Sequence, residues 1–105
     1  MTAYVLVLFS AGPQHGSAPP TAAHKAFVAE RVQANEILLG GPFATGPHTG
    51  GYVLACGDLA AAEALVARDP YVVSGAFTAT CSEWSVVGVN PAAIEPTKVW
   101  APKTS

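Results

Sequence analysis

The stretch from His24 to Phe43, HKAFVAERVQANEILLGGPF, limits the possible folds of this chain more than any other part of the sequence. It carries, in order, an amphipathic helical pattern, an asparagine able to end a helix, a short apolar run and a Gly-Gly-Pro sequence. His24 stands at the start of the helix, on the side expected to face inward. Because histidine exchanges protons near neutral pH, the stretch joins clear structural signals to a side chain able to do chemistry.

The composition favours one domain that associates with copies of itself. A chain of 105 residues is long enough for a single hydrophobic core. Half of the residues are hydrophobic and 11% are charged, against roughly 25% in ordinary soluble domains. We therefore expect a homodimer or a higher homo-oligomer that buries part of the apolar surface. The alternative is that many of the hydrophobic residues are alanines, which a surface tolerates.

Charge and sequence signals argue against several classes of partner. The net charge is -2 and the five basic residues are scattered, so the basic cluster that nucleic-acid binding needs is absent. No basic amphipathic stretch indicates a membrane surface, and the apolar start MTAYVLVLFS lacks the positive region of a signal peptide. We expect a cytoplasmic protein. Cys56 and Cys81 are expected to be free, buried thiols in strands rather than a disulfide or a metal site, since they have no CxxC spacing.

The first part of the chain predicts a strand, a loop and a helix. Residues 4–9, YVLVLF, are β-branched and aromatic and form a buried strand. The Pro- and Gly-rich residues 10–20 form a loop long enough to lie over a site. Thr21 is the expected N-cap of a helix that runs to about Ala34. The apolar stripe of this helix consists of Phe27, Val28 and Val32.

The middle of the chain predicts two more strands separated by a turn-rich connection. Asn35 is suited to the left-handed conformation that ends a helix. Residues 36–39 form the second strand, which Gly40-Gly41-Pro42 is expected to stop. The third strand covers residues 51–56, GYVLAC.

A second helix follows, with signals at both of its ends. Asp58 is its expected N-cap, because its side chain can accept hydrogen bonds from the first turn. Pro70 ends the helix at Asp69, since the residue before proline is pushed out of the helical region. Residues 71–75 are compatible with either an extended piece or a turn of helix. The inner stripe of the second helix consists of Leu59, Ala62 and Val66.

The last strand and a tail complete the chain. Residues 76–89 have a β-like pattern whose alternation slips around residues 82–85, where we expect a bulge. We therefore divide the chain into a domain at residues 1–89 and a C-terminal tail at residues 90–105. Because the tail carries Ile94, Val99 and Trp100, we expect it to pack on its own domain or on a partner subunit.

The order strand, helix, strand, strand, helix, strand is the ferredoxin-like βαββαβ arrangement of the α+β class. It places two helices on one face of an antiparallel four-stranded sheet. The other face is left uncovered although its strands are apolar. Two sheets packed face to face in a dimer would cover it.

Several residues together give the sequence a resemblance to a known family. They are His24 at the start of the first helix, the stretch from Asn35 to Phe43 with its GGPF end, the Asp69-Pro70-Tyr71 triplet followed by Gly75, and Trp84 in the last strand. In order and spacing these motifs resemble the YciI-like (YCII-related) family over most of residues 4–89. Asn35 stands where the family usually has glycine.

The resemblance implies a dimeric α+β barrel built from two ferredoxin-like subunits. It also implies an active site on a His–Asp pair, which falls here on His24 and Asp69. The better-defined relatives are a dehydrochlorinase that acts on a chlorinated aromatic compound and related lyases or isomerases. The loop at residues 10–20 and the tail depart from the common pattern, so no particular substrate is carried over.

The chemistry of such a pair is clear even without the resemblance. If Asp69 reaches His24, the carboxylate fixes the imidazole tautomer and leaves the other ring nitrogen to exchange a proton with a substrate. The alternative is a structural pair that ties one helix to the next. Tyr71, Pro42, Phe43 and His15 are the candidate substrate-binding residues. Each also has an ordinary structural interpretation, as a core aromatic, a strand end or a loop side chain.

Two functions remain open from the sequence. The first is a cofactor-independent lyase or isomerase that moves a proton on a small apolar substrate, and substitution of His24 or Asp69 would then remove activity with nearly intact thermal stability. The second is a non-catalytic module that binds a small molecule in the same dimeric barrel. Neither requires a cofactor, and the spacing of the three histidines matches no metal site.

Overall fold

In the computed structural model, the described residues are 2–16, 18–90 and 92, and they form a four-stranded antiparallel sheet with three helices. The sheet order is β2-β3-β1-β4. This arrangement confirms the predicted α+β class and its βαββαβ order, with one extra short helix before the last strand. The elements are β1 (Thr2–Ala11), α1 (Thr21–Gln33), β2 (Ile37–Pro42), β3 (Gly50–Leu54), α2 (Leu59–Val66), α3 (Pro70–Val73) and β4 (Phe77–Val86).

The core lies between the helices and one face of the sheet, and strand alternation decides which residues enter it. In β1, Val5, Val7 and Phe9 are buried, and Val5 pairs with Leu54 and Val7 with Tyr52 in β3. Full burial of each aliphatic side chain contributes about 1.5–3 kcal/mol. The helices supply Val28, Ala62 and Val66 to the same cluster.

The opposite face of the sheet, here called the open face, carries the alternate residues of β1, which are Tyr4, Leu6 and Leu8. In register with them lie Trp84 of β4 and Val53 of β3, and Leu39 of β2 continues the row. Leu39 is 53% exposed and Trp84 47% exposed. Large apolar side chains therefore face outward on this side of the sheet.

Several local predictions are confirmed. Asn35 has a φ of 61°, so it adopts the left-handed conformation that ends α1. Asp58 caps α2, since its Oδ1 accepts a hydrogen bond from the Ala60 amide at 3.0 Å. The apolar stripe of α1 packs on the core through Phe27, Val28 and Val32.

The ends of the helices correct two predictions. Thr21 is not the N-cap of α1; Pro20 occupies that position, and no side chain caps the helix. The Thr21 hydroxyl instead accepts a hydrogen bond from the Tyr71 hydroxyl at 3.1 Å. The second helix ends at Val66 rather than at Asp69, because Asp69 is extended and caps α3, in which Pro70 takes the first position. Of the ambiguous residues 71–75, residues 71–73 are therefore helical, and residues 74 and 75 form the turn that follows.

Three predictions about strands are also wrong. Gly40-Gly41-Pro42 does not stop the second strand but belongs to β2, which pairs with β3 as far as Pro42 opposite Gly50. Proline is tolerated there because β2 is an edge strand and its end needs no further donor. The third strand ends at Leu54, so Cys56 lies outside it. In β4, the pairing with β1 runs from Phe77 to Val86 without a register shift, so the expected bulge is absent.

Three further expectations concern membrane spans, the two cysteines and the C-terminal tail. Among the residues that the structure describes, no helix is long and apolar enough to cross a membrane. Cys56 and Cys81 are both free, as predicted, but each is only partly buried, which corrects the expectation of buried thiols. The predicted packing of the tail concerns Ile94, Val99 and Trp100, which lie outside the described residues.

Candidate functional site

His24 and Asp69, although 45 positions apart in the sequence, meet in the structure. His24 Nδ1 lies 2.7 Å from Oδ1 and 3.0 Å from Oδ2 of Asp69. His24 stands in the first turn of α1, while Asp69 is the N-cap of α3. The contact left open by the sequence is therefore formed, and it joins the starts of two helices.

Asp69 is fully buried and accepts hydrogen bonds from three different residues. Besides His24, the Tyr52 hydroxyl donates to Oδ2 at 3.1 Å and the Tyr71 amide donates to Oδ1 at 2.9 Å. A carboxylate without exposure to solvent is costly unless it is paired and hydrogen-bonded, and here both oxygens are used. Asp69 is thus both a helix cap and the anchor of the histidine.

Tyr52 is a donor to Asp69 over the whole range of ordinary pH. Burial raises the pKa of its phenol well above the usual value, and the nearby Asp69 charge and the hydrogen bond to it raise it further. The hydroxyl therefore stays protonated and donates its hydrogen bond to the Asp69 carboxylate. This residue was not among the predicted site residues.

Aromatic rings surround the His24 imidazole. The Tyr71 ring is stacked on it, with centroids 3.8 Å apart and an interplanar angle of 10°. Phe9 approaches edge-on at 6.0 Å. The side chain of His24 keeps 17% exposure. Since Asp69 occupies the Nδ1 edge, Nε2 is the ring nitrogen left for a substrate.

The other predicted site residues fall in different places. Tyr71 touches His24, and His15 is exposed and packs edge-on against Phe77, with centroids 5.3 Å apart. Pro42 and Phe43 line a shallow apolar depression of about 290 Å³ that also includes open-face residues. A second depression of about 180 Å³ lies near α2 and β4. Neither depression is lined by His24. The residues of the first are Leu6, Leu39, Gly40, Gly41, Pro42, Phe43, Gly51, Tyr52 and Val53.

A second histidine makes a different kind of contact. His48, in the connection between β2 and β3, has Nδ1 3.0 Å from the Ser10 hydroxyl. Ser10 follows Leu8 on the open face, one residue beyond the buried Phe9. The Thr49 amide holds the connection to the Phe9 carbonyl at 2.9 Å. This pair is separate from the His24 site.

The residue that sequence reasoning missed is Tyr52, and one signal could have found it. In the predicted strand GYVLAC, Tyr52 and Leu54 are two positions apart and so share a face, which in the structure is the buried, helix-facing one. A tyrosine on a buried face usually has a hydrogen-bond partner for its hydroxyl. Nothing in the sequence identified Asp69 as that partner.

Among the described residues, no group of three or more His, Cys, Asp or Glu side chains is arranged to hold a metal ion. The absence of a cofactor remains a prediction.

A search of curated proteins found no match. The YCII-related domain matches residues 3–84, which include all four strands up to Trp84 and the whole His24–Asp69 site. The chain therefore belongs to the YCII-related domain family.

Proposed function

We propose that this protein is a cofactor-independent small-molecule enzyme of the lyase or isomerase type, in which His24 transfers the proton. The observation that carries the proposal is the 2.7 Å contact between His24 Nδ1 and Asp69. A neutral imidazole whose Nδ1–H donates to a carboxylate presents the lone pair of Nε2 as a base. The family membership is compatible with this chemistry.

The reaction we propose begins at a C–H bond next to a carbonyl group. His24 Nε2 takes the proton, and the electron pair of the C–H bond moves into an enolate. In isomerisation, the imidazolium then returns the proton to a neighbouring atom. In elimination, a leaving group departs with the electron pair, and the imidazolium passes its proton to that group or to water. The Asp69 carboxylate stabilises the imidazolium in between.

The surroundings of His24 favour a small substrate with an apolar or aromatic body. Tyr71, Phe9 and Phe77 form a connected set of rings beside the imidazole, and Tyr71 and Phe77 have centroids 4.5 Å apart. Flat apolar groups pack well against such edges and faces. We propose substrate contacts for Tyr71 and His15 on this side. Pro42 and Phe43 line a separate depression on the open face and are proposed contacts for the second candidate function below.

The test is turnover of a panel of small carbonyl compounds with apolar or aromatic substituents. We expect His24→Ala to lower kcat/KM by at least about 100-fold, the usual contribution of a general acid–base residue. His48→Ala is the matched control, because it removes an imidazole outside the site, and it should retain wild-type turnover. Full turnover by His24→Ala would show that another group moves the proton.

We further propose that the protein is a homodimer in which two open faces pack together. The support is the row of outward apolar side chains, with Leu39 and Trp84 each about half exposed. Trp84→Glu should convert the dimer to a monomer in sedimentation equilibrium. Val73→Glu is the control, since Val73 is 72% exposed but lies on α3 in the helical layer. A wild-type monomer at micromolar concentration would contradict this proposal.

A binding protein without catalysis is the second candidate, and the depression lined by Pro42 and Phe43 favours it because His24 takes no part in that surface. This candidate predicts saturable binding of the same compounds, no product, and unchanged affinity in His24→Ala. We propose a cytoplasmic location for either function, supported by the free Cys56 and Cys81.

A further inference from the structure

Tyr52 links the sheet to the carboxylate that holds His24. It lies in β3, is 3% exposed, and its hydroxyl donates to Asp69 Oδ2 at 3.1 Å. The Phe9 ring packs edge-on against the Tyr52 ring, with centroids 5.3 Å apart, and limits where the phenol can point. We propose that Tyr52 is a positioning residue that fixes the Asp69 carboxylate toward His24, and that Gly40 is glycine to leave Tyr52 the room to do so.

The two carboxylate oxygens of Asp69 are held differently. Oδ1 is fixed by the Tyr71 amide at 2.9 Å and by His24 at 2.7 Å. Oδ2 has the longer 3.0 Å approach to His24 and the bond from Tyr52. Without the Tyr52 hydroxyl, Oδ2 would keep only its longer approach to His24, and rotation about the Cβ–Cγ bond would be opposed by the hydrogen bonds at Oδ1 alone. Tyr52 therefore fixes the rotation that brings both oxygens toward His24 Nδ1.

Gly40 faces Tyr52 across the β2–β3 pairing. A Cβ atom added at Gly40 would lie 2.6 Å from the Tyr52 Cβ and 2.9 Å from the Gly51 carbonyl oxygen, so β2 and β3 would have to shift relative to each other at Tyr52. Gly41 is different, because a Cβ there meets no atom within 4 Å. Neither glycine has a positive φ, so the difference between them is one of space and not of backbone conformation.

The functional meaning of this inference rests on the proposed role of His24, but its test uses no substrate. The protein is labelled with ¹⁵N-histidine, and the Nδ1–H proton of His24 is identified by its loss in His24→Ala. We expect Tyr52→Phe to shift this proton and to shorten its lifetime against exchange with water by about tenfold, the effect of losing one hydrogen bond to a charged group. Tyr71→Phe is the matched control, since it removes an exposed hydroxyl beside His24 but keeps the amide bond to Asp69.

The glycine pair provides an independent arm that leaves every hydroxyl in place. Gly40→Ala should reproduce the shift and the faster exchange seen in Tyr52→Phe, while Gly41→Ala should match the wild type. The inference is overturned if the His24 proton is unchanged in Tyr52→Phe and in Gly40→Ala, whatever their melting temperatures. It is also overturned if Tyr71→Phe has the same effect as Tyr52→Phe. If Tyr52→Phe does not fold, the comparison of Gly40→Ala with Gly41→Ala decides.

The two failures are distinguishable. Loss of the proposed function appears as unchanged turnover in His24→Ala, with the His24 proton signals still dependent on Tyr52. Loss of the present inference appears in the spectra alone, with turnover still dependent on His24.

Discussion

Two histidines in this domain use Nδ1 for a hydrogen bond to a side chain of another element, yet their surroundings differ. His24 bonds to Asp69, which is fully buried and shared with Tyr52 and the Tyr71 amide. His48 bonds to the neutral Ser10 hydroxyl, one residue past the buried part of β1. The first histidine is fixed by a charge in a low-dielectric interior, and the second by one neutral contact near the surface.

The two histidines therefore differ in how firmly their hydrogen-bond partners hold the imidazole ring. If a buried carboxylate with three donors moved away, all three donors would lose their acceptor. The imidazole bound to it therefore keeps one tautomer and one orientation. A single neutral hydrogen bond contributes about 0.5–1.5 kcal/mol, which thermal motion breaks often. We therefore expect His24 to be preorganised for proton transfer, whereas His48 serves to hold the β2–β3 connection to β1.

The largest effect expected is on stability, from removal of each histidine's partner. Asp69→Ala leaves His24, Tyr52 and the Tyr71 amide without an acceptor, and we expect a loss of about 3–5 kcal/mol in the free energy of unfolding. Ser10→Ala should cost about 1 kcal/mol or less. Urea unfolding of both variants measures the two values.

This expectation replaces the one drawn from the sequence, that stability survives substitution at Asp69. The residue is a helix cap and a buried anchor as well as the histidine's partner, and these roles became visible only in the structure. Equal losses in Asp69→Ala and Ser10→Ala would remove the distinction between the two pairs.

The next largest effect is a pH dependence of the free energy of unfolding, which arises from Tyr52 at the His24 site and has no counterpart at the His48–Ser10 pair. Because burial and Asp69 raise the pKa of Tyr52 above its ordinary value of 10.0, the folded state keeps a proton that the unfolded state releases. The stability from this group is therefore complete below about pH 10 and declines above it, by about 1.4 kcal/mol per pH unit. Tyr52→Phe should lose this part of the alkaline slope, and Tyr71→Phe should keep it. Identical slopes in Tyr52→Phe and the wild type would contradict the assignment.

The smallest effect concerns the ring stacked on His24. Tyr71→Leu removes the stacking and should destabilise the domain by about 1 kcal/mol. Tyr71→Phe keeps the stacking and loses only the exposed hydrogen bond to Thr21, so a change under about 0.5 kcal/mol is expected. Thermal unfolding of the two variants separates ring contact from hydroxyl contact. A larger loss in the phenylalanine variant would reverse this ranking.

Much of the fold was predictable because its signals are local. Asn35 ends a helix and Asp58 begins one, since each needs only its own side chain and the adjacent backbone. The errors came where a neighbour in space decided the outcome. Thr21 is bonded by Tyr71 instead of capping α1, and Gly40 continues β2 because β3 lies beside it. The bulge expected around residues 82–85 is absent because Trp84 simply faces the open side, opposite to Cys81.

The two residues of the His24–Asp69 pair were predictable from the sequence. Their distance and the hydrogen bond from Tyr52 were not. His24 and Asp69 could be named from their positions on the helices and from the family resemblance. Their distance depends on how α1 and α3 sit over the sheet, which no periodicity records. Tyr52 was missed because a tyrosine in an apolar strand indicates only burial, and its partner lies on a different element.

Proton transfer by His24 can be tested directly without knowledge of the product. The test is hydrogen–deuterium exchange at the carbon next to a carbonyl group. An aromatic ketone such as acetophenone is incubated with the protein in D₂O, and loss of the proton next to its carbonyl is followed by NMR. We expect the wild type and His48→Ala to accelerate this exchange and His24→Ala not to accelerate it. No acceleration by the wild type, or equal acceleration by His24→Ala, would contradict it.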